Sequence, residues 1–535
     1  MKKFIMIFLA VFLAIAAIGA IATWFTPNAP DNSTDTGTDS TTDTNTDTST
    51  DSGSGDTNVD IEEPNDTPKD EPSEPEIIEI ENVAELTTAL ETIESGAVIA
   101  IPATIEFSEP ISLGNKEVTF IFSEDFDKPV SVQLEEGKLT IMNGHFNGID
   151  IGGKGTLILD NVMSLATTEG DSGLALLDGA DITVKIVGNV SLTGAKDGDG
   201  IEVPEGTKLF LTGETLVAVG NNGLEYSEVE GYGNTDDESY LNKTGSGIGN
   251  AHKNIGLLTV KDMTSLTVMG YGNKAFGLGG GDKSIVTIEN TVIEYAKGGY
   301  AQATFLTDEK GKGDEEGGAA IGVGCGVDGD FDSGTLIIKD SNIKIAVGGS
   351  KAAGIGALYW TSAHIEISNS VVENVTGGTA SAGIGGSRVM GSTEGEQAIT
   401  IIISDSTINA NGGEYASGIG SGYDTYCSTN PPSPCHIEIL GESNITAKGG
   451  KYGAGIGTGF HCAGLTGFIT DTVTVNASCG DENFYKDTYT TAQNIGYGVT
   501  DPEREMSLEE VTFTIAGEAI ENPVDLIATD EGEVA

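Results

Sequence analysis

A phrase of the form G-G-x-x-x-(A/S)-G-I-G recurs through the second half of this chain. It reads GGSKAAGIG at 348–356, GGTASAGIG at 377–385, GGEYASGIG at 412–420 and GGKYGAGIG at 449–457. Looser copies stand at GSGIG (245–249), GLGGG (277–281), GGAAIGVG (317–324) and NIGYG (494–498). Between copies run alternating apolar stretches that end in Asp or Asn before Ser or Thr, as in TLIIKDSNIKIAVGG (335–349), HIEISNSVVENVTGG (364–378) and ITIIISDSTINANGG (399–413). A unit repeated every roughly 30–40 residues cannot bury its apolar face alone and must stack on its copies, which makes the chain a solenoid. The segments that vary between constant phrases then project from one side of the stack.

Short alternating or apolar runs predict strands at 97–102, 117–122, 138–142, 156–160, 181–187 and 208–213, each closed by Gly, Asn or Asp. One helix precedes them. In NVAELTTALETIESG (82–96), Val83, Leu86, Leu90 and Ile93 share a face, Asn82 with Glu85 forms an N-cap pair, and Gly96 is the C-cap. If the strands are parallel and stack about 4.8 Å apart, the Ile of each Gly-Ile-Gly (Ile248, Ile321, Ile355, Ile384, Ile419 and Ile456) forms an inward aliphatic column. The I-x-I pairs, including Ile365/Ile367 and Ile437/Ile439, supply a second column. Asn290, Asp340, Asn369 and Asp405 mark a recurrent corner with a structural role, where stacked Asn can ladder hydrogen bonds. EEVTFTIAGEAIENPVDLI (509–527) reads as two closing strands, because an open solenoid end leaves unpaired edges.

The opening helix V-x-x-L-x-x-A-L (83–90), followed by G-x-x-I-x-I (96–101) and many short strands, resembles the start of a right-handed parallel β-helix. Pectate lyases, polygalacturonases and many surface adhesins share that fold. The GGxxxAGIG repeats over 245–498 are similar to those of microbial cell-surface proteins described as adhesin-like or carbohydrate-binding. The expected architecture is therefore all-β: a parallel β-helix with a short N-terminal capping helix. Its cap and first coils span 77–244, its Gly-rich coils 245–500, and a C-terminal cap and tail 501–535.

The rest of the chain supplies an address. Lys2 and Lys3 precede the apolar run FIMIFLAVFLAIAAIGAIATWF (4–25), so residues 1–25 are a signal peptide or an N-terminal membrane anchor, with all that follows outside the cell. Residues 26–76, rich in Thr, Asp, Ser and Pro, have no apolar periodicity and form a disordered stalk. The formal net charge is -56, which repels nucleic acid and excludes it as a partner.

Function is expected in the segments after each Gly-Ile-Gly. They hold Tyr359, Trp360, Tyr423, Tyr426 and Phe460, in a chain that is only 6% aromatic. Rings with polar tips on a rigid scaffold suit stacking against sugars, which makes these five the candidate glycan-binding residues. Cys427 and Cys435 bracket an insertion and suggest a disulfide. Cys462 pairs with Cys479 or, across coils, with Cys427, and Cys325 is left odd. VDGDFDSG (327–334) sets Asp328, Asp330 and Asp332 at alternate positions, as in the first part of a calcium loop, so calcium is the one cofactor suggested.

Enzymes of the β-helix fold imply an Arg or Lys base with calcium-binding carboxylates, or three convergent Asp with G-H-G and R-x-K elements. Only Arg388 and Arg504 are present, and His145 lies in NGHFNG with no R-x-K after it. The expected function is an extracellular surface-display protein that binds carbohydrate or another surface. A tethered or secreted polysaccharide lyase or hydrolase working through paired carboxylates is the alternative, with a ligand-free envelope component as a third.

Overall fold

The computed structural model describes residues 76–221, 244–250, 254–272, 274–281, 283–299, 317–324, 333–358, 361–387, 398–423, 435–462, 464–480, 492–499 and 512–519. Within them the chain winds into a parallel β-helix with three faces, the longer strands of the first coils running from one face onto the next. The apolar run at 4–25 and the stalk lie outside these residues. No described helix is long and apolar enough to cross a membrane.

Side-chain alternation builds the core. On the first face, Val130, Ile149, Leu174, Ile201, Ile248, Leu278, Ile321, Ile355, Ile384, Ile419, Ile456 and Ile495 pair in unbroken register. The second face carries Leu157, Val184, Leu211, Val260, Ile288, Ile338, Ile367, Ile403, Ile439 and Ile469 in the same way. The third carries Leu216, Leu266, Ile293, Ile343, Val372, Ile408, Ile445 and Val475. Nearly all of these are buried in one continuous cluster, as expected for a column whose members cover one another.

Corners decide how tightly coils can stack. Between the second and third faces the chain turns through the left-handed region at Asn143, Asn161, Asp262, Asn290, Asp340, Asn369 and Asp405, with φ between 45° and 56°. Asn and Asp tolerate this conformation better than other residues with a Cβ. The ladder at this corner is carried one residue later, by hydroxyls. Thr291, Ser341, Ser370 and Ser406 each donate a backbone N–H to the hydroxyl of the next coil, at 3.2, 3.1, 3.1 and 3.2 Å, ending on Ser443. Ser341, Ser370 and Ser406 return the hydroxyl proton to a carbonyl two residues back, each at 2.7 Å. The continuous ladder at this corner is thus a buried Ser/Thr one; Asn and Asp set the backbone turn and add single bonds between coils, as from Asn290 Nδ2 to Asp262 Oδ1 at 2.7 Å.

Glycine governs the other corner. A Cβ on Gly378 would stand 1.8 Å from the carbonyl oxygen of Gly349, and one on Gly413 would stand 1.7 Å from that of Gly378. The Gly-Gly pair of the repeat is required because successive backbones touch there.

Both ends are closed. The helix Val83–Thr92 presses Leu86 and Leu90 onto the first coil, with Val83 and Ile93 packed beside them. Its N-cap is the expected Asn82–Glu85 pair: Glu85 N–H donates to Asn82 Oδ1 at 3.0 Å, and Glu81 N–H, one residue before the cap, donates to Glu85 Oε2 at 2.8 Å; the C-cap is Ile93, not the expected Gly96, because the helix ends at Thr92. At the far end the strand Thr512–Ile515 extends the parallel ladder from Leu465–Ile469. The strand Glu518–Ala519 then folds back on it antiparallel, closing that edge.

Candidate functional site

The described residues just after Gly-Ile-Gly are fixed by backbone hydrogen bonds to the Gly-Gly turns. Tyr423 N–H donates to Ala380 O at 3.0 Å, Phe460 N–H to Tyr415 O at 2.8 Å, and Val499 N–H to Tyr452 O at 2.9 Å. Hydroxyls add a rung between coils: Gly459 N–H donates to Ser421 Oγ at 3.2 Å and Gly498 N–H to Thr458 Oγ1 at 3.1 Å.

Four rings here form a block two coils high. Tyr415 and Tyr452 stack at 4.9 Å and 16°, close to the coil spacing of about 4.8 Å. Tyr423 and Phe460 stack beside them at 5.6 Å and 26°. The two columns meet at 5.4 Å between Tyr415 and Tyr423, and at 5.2 Å between Tyr452 and Phe460. The His461 ring lies 3.7 Å from that of Phe460, and Lys451 Nζ sits 5.0 Å from the Tyr452 centroid. Tyr452 and His461 are buried, while Tyr415, Tyr423 and Phe460 are half-buried. Behind the rings Ala492 and Val499 close an apolar base. The block is thus a shelf of ring surface with phenol oxygens and one ammonium around it. That chemistry suits holding a flat amphipathic ligand.

Of the five candidate aromatics, Tyr423 and Phe460 meet here, and Tyr359, Trp360 and Tyr426 lie outside the described residues. Tyr415 and Tyr452 were missed from sequence because they fall inside the repeat phrase, at the variable positions of GGEY and GGKY. Their signal was the same ring at the same repeat position in consecutive copies. Asp328, Asp330 and Asp332, the proposed calcium ligands, lie outside the described residues. Among the described residues no three His, Cys, Asp or Glu groups converge as a metal site.

Cysteine requires a correction. The Cys427–Cys435 staple is not formed, because Cys435 is a free thiol at the first core-facing position of the strand Cys435–Leu440. It occupies an inward column with Ala363, Ile399 and Leu465, and burial pushes the thiol up to about 12. Cys427 lies outside the described residues. Cys462, expected to pair with Cys479 or Cys427, is buried and donates its thiol to Gly422 O at 3.1 Å. No disulfide joins described cysteines; Cys479 packs beside Tyr452 and Val499.

A second cluster faces outward from the first face nearer the N-terminus. Asp150, Ala175 and Glu202 occupy successive rungs, which puts the Cα atoms of the two acids roughly 10 Å apart by strand spacing. Burial, then the charges of Asp171 and Glu202, holds the Asp150 carboxyl above the usual carboxylate range. Ser172 Oγ donates to Glu202 Oε2 at 3.2 Å.

No family model, curated protein or solved structure matches the chain. The argument about function therefore stands on the geometry of these two clusters.

Proposed function

We propose that this is an extracellular surface-display protein whose β-helix presents the Tyr415/Tyr423/Tyr452/Phe460 shelf to a carbohydrate or another cell-surface polymer. The four-ring block carries the reading. Three of its rings stay half-exposed on loops locked to the solenoid, so the face is prepaid in entropy before a ligand arrives. The resemblance of the repeats to adhesin-like proteins, the apolar N-terminal run and the acidic stalk agree with display outside a cell. Calcium at Asp328, Asp330 and Asp332 belongs to the same proposal.

A screen of the full-length protein on a diverse glycan array, with and without calcium, tests this. Selective binding is expected. Tyr423→Ala is expected to weaken the selected glycan roughly tenfold, the value of one stacking contact of about 1.4 kcal/mol, and Tyr423→Phe to leave it nearly intact. Equal binding by parent and Tyr423→Ala would remove the shelf from the account.

Asp150 favours a second reading, a polysaccharide hydrolase. A carboxyl whose pKa is raised, two rungs from a second carboxylate on the same face, resembles the acid and base pair of an inverting glycosidase. Asp150→Asn would then abolish release of reducing sugar while stabilising the fold near neutral pH. The sign follows from linkage: a carboxyl whose folded pKa is raised costs stability as pH rises from its unfolded value through its folded one, and the amide removes that cost. Stabilisation without any turnover in the parent would leave Asp150 as a strained surface acid.

A further inference from the structure

The second face carries an outward patch that the core does not explain. Leu257 and Ile285 are 40% and 45% exposed, and register sets them side by side on successive rungs. Phe210 and Ile337, half-buried, lie one column over and one rung further out on either side. A single exposed aliphatic side chain needs no explanation, whereas a contiguous patch marks a contact surface. In a chain with 82 acidic and 26 basic residues, this face also pairs its charges. Lys138 Nζ lies 2.7 Å from Glu117, Lys208 Nζ 3.6 Å from Asp181, and Lys261 Nζ 2.9 Å from Glu289. A face balanced in this way is where two copies of so acidic a chain can meet without repulsion.

We propose that this face joins two copies of the chain, packed face to face with their solenoids antiparallel, about a two-fold axis between the rungs of Leu257 and Ile285. The axis runs along the strands, so each outward column lies over the same column of the second copy with the rung order reversed. Register then fixes every opposition. Leu257 meets the partner's Ile285, Phe210 meets the partner's Ile337, and Lys261 meets the partner's Glu289. Asp181 faces the partner's His364, and Lys138 faces the partner's Glu438. Along the three outward columns no lysine meets a lysine and no carboxylate meets a carboxylate. Other arrangements fail on charge. A slip of one rung sets Glu289 on the partner's Glu289 in one direction and Lys261 on the partner's Lys261 in the other. Parallel copies would set Lys138 on the partner's Lys138 in the middle column. The face runs through twelve rungs, from the strand Glu117–Phe122 to the strand Leu465–Ile469. That makes it about 53 Å long and, at three outward residues, about 15 Å wide. Two copies cover roughly 1,600 Å² between them, the size of a stable and specific interface.

Sedimentation equilibrium of the full-length protein in detergent tests this, with circular dichroism as the check that each variant keeps its strands. A dimer is expected for the parent and a monomer for Ile285→Glu, whose side chain faces outward. Lys138→Glu and Glu438→Lys are each expected to weaken the dimer roughly tenfold, because each sets two like-charge pairs in the interface. Together they are expected to restore it. The two positions stand nine rungs apart in one chain, about 43 Å, so restoration can come only through the partner. A monomeric parent would overturn the proposal and leave the face to another occupant. A dimer that survives Ile285→Glu, or additive weakening by the two charge changes, would overturn it as well.

Discussion

Gly420→Ala is expected to destabilise the solenoid by about 4 kcal/mol, combining a forbidden backbone angle with overpacking against a neighbouring chain segment. Gly420 has φ of +136°, and a Cβ there would stand 1.8 Å from the carbonyl oxygen of Gly457 on the next coil. Neither side can give way. Moving Gly457 would break the register of Ile419 on Ile456, and rotating Gly420 would turn Ile419 out of the core. Gly206→Ala is the control, because Gly206 has φ of +79° with nothing near the added methyl. It carries the backbone term alone, about 1–2 kcal/mol. A solenoid unfolds by neighbouring units, so the damage should be local. Amide hydrogen exchange of the two variants against the parent reads it, with protection lost around 384–457 in Gly420→Ala only. Equal effects would mean that close coil-to-coil approach is not what demands glycine.

Ile384→Ala is expected to cost about 3–4 kcal/mol, within the range for deleting a large buried aliphatic side chain. Ile384 is fully buried between Ile355 and Ile419 on the first face. Coils above and below are tied by backbone ladders, so the cavity cannot collapse by drawing them together. Ile495→Ala, at the half-buried end of the same column, should cost less than half as much. Thermal unfolding of the pair measures the difference. Similar losses at both positions would mean that burial in the column is not what sets the cost.

The fold was legible because its determinants are periodic. The Gly-Ile-Gly column and the I-x-I column each repeat a local rule that sequence displays, and both stand where the spacing put them; the Asn82–Glu85 cap is a single local pair and was legible as such. The Ser/Thr ladder was half visible. The Asx-Ser/Thr pair was evident, but which member carries the hydrogen bonds depends on the left-handed turn at the first residue, which points the second inward. Cys435 was misread because a strand start beside a variable insertion looks like part of that insertion, and only register shows it facing the core. The ring block was partly legible for a different reason. Tyr423 and Phe460 follow Gly-Ile-Gly, whereas Tyr415 and Tyr452 precede it, and they meet because each loop bonds back to the turn of the preceding coil.

The central claim is that the aromatic flank, and no other face of the solenoid, engages the ligand. Its most direct test compares two double variants of the full-length protein for binding to the glycan selected on the array. Tyr423→Ala with Phe460→Ala alters the flank, and Thr335→Ala with Thr400→Ala alters the second face. Loss of binding in the first pair and parental binding in the second is the predicted result. Parental binding by the flank pair, or equal loss in both, would contradict the account.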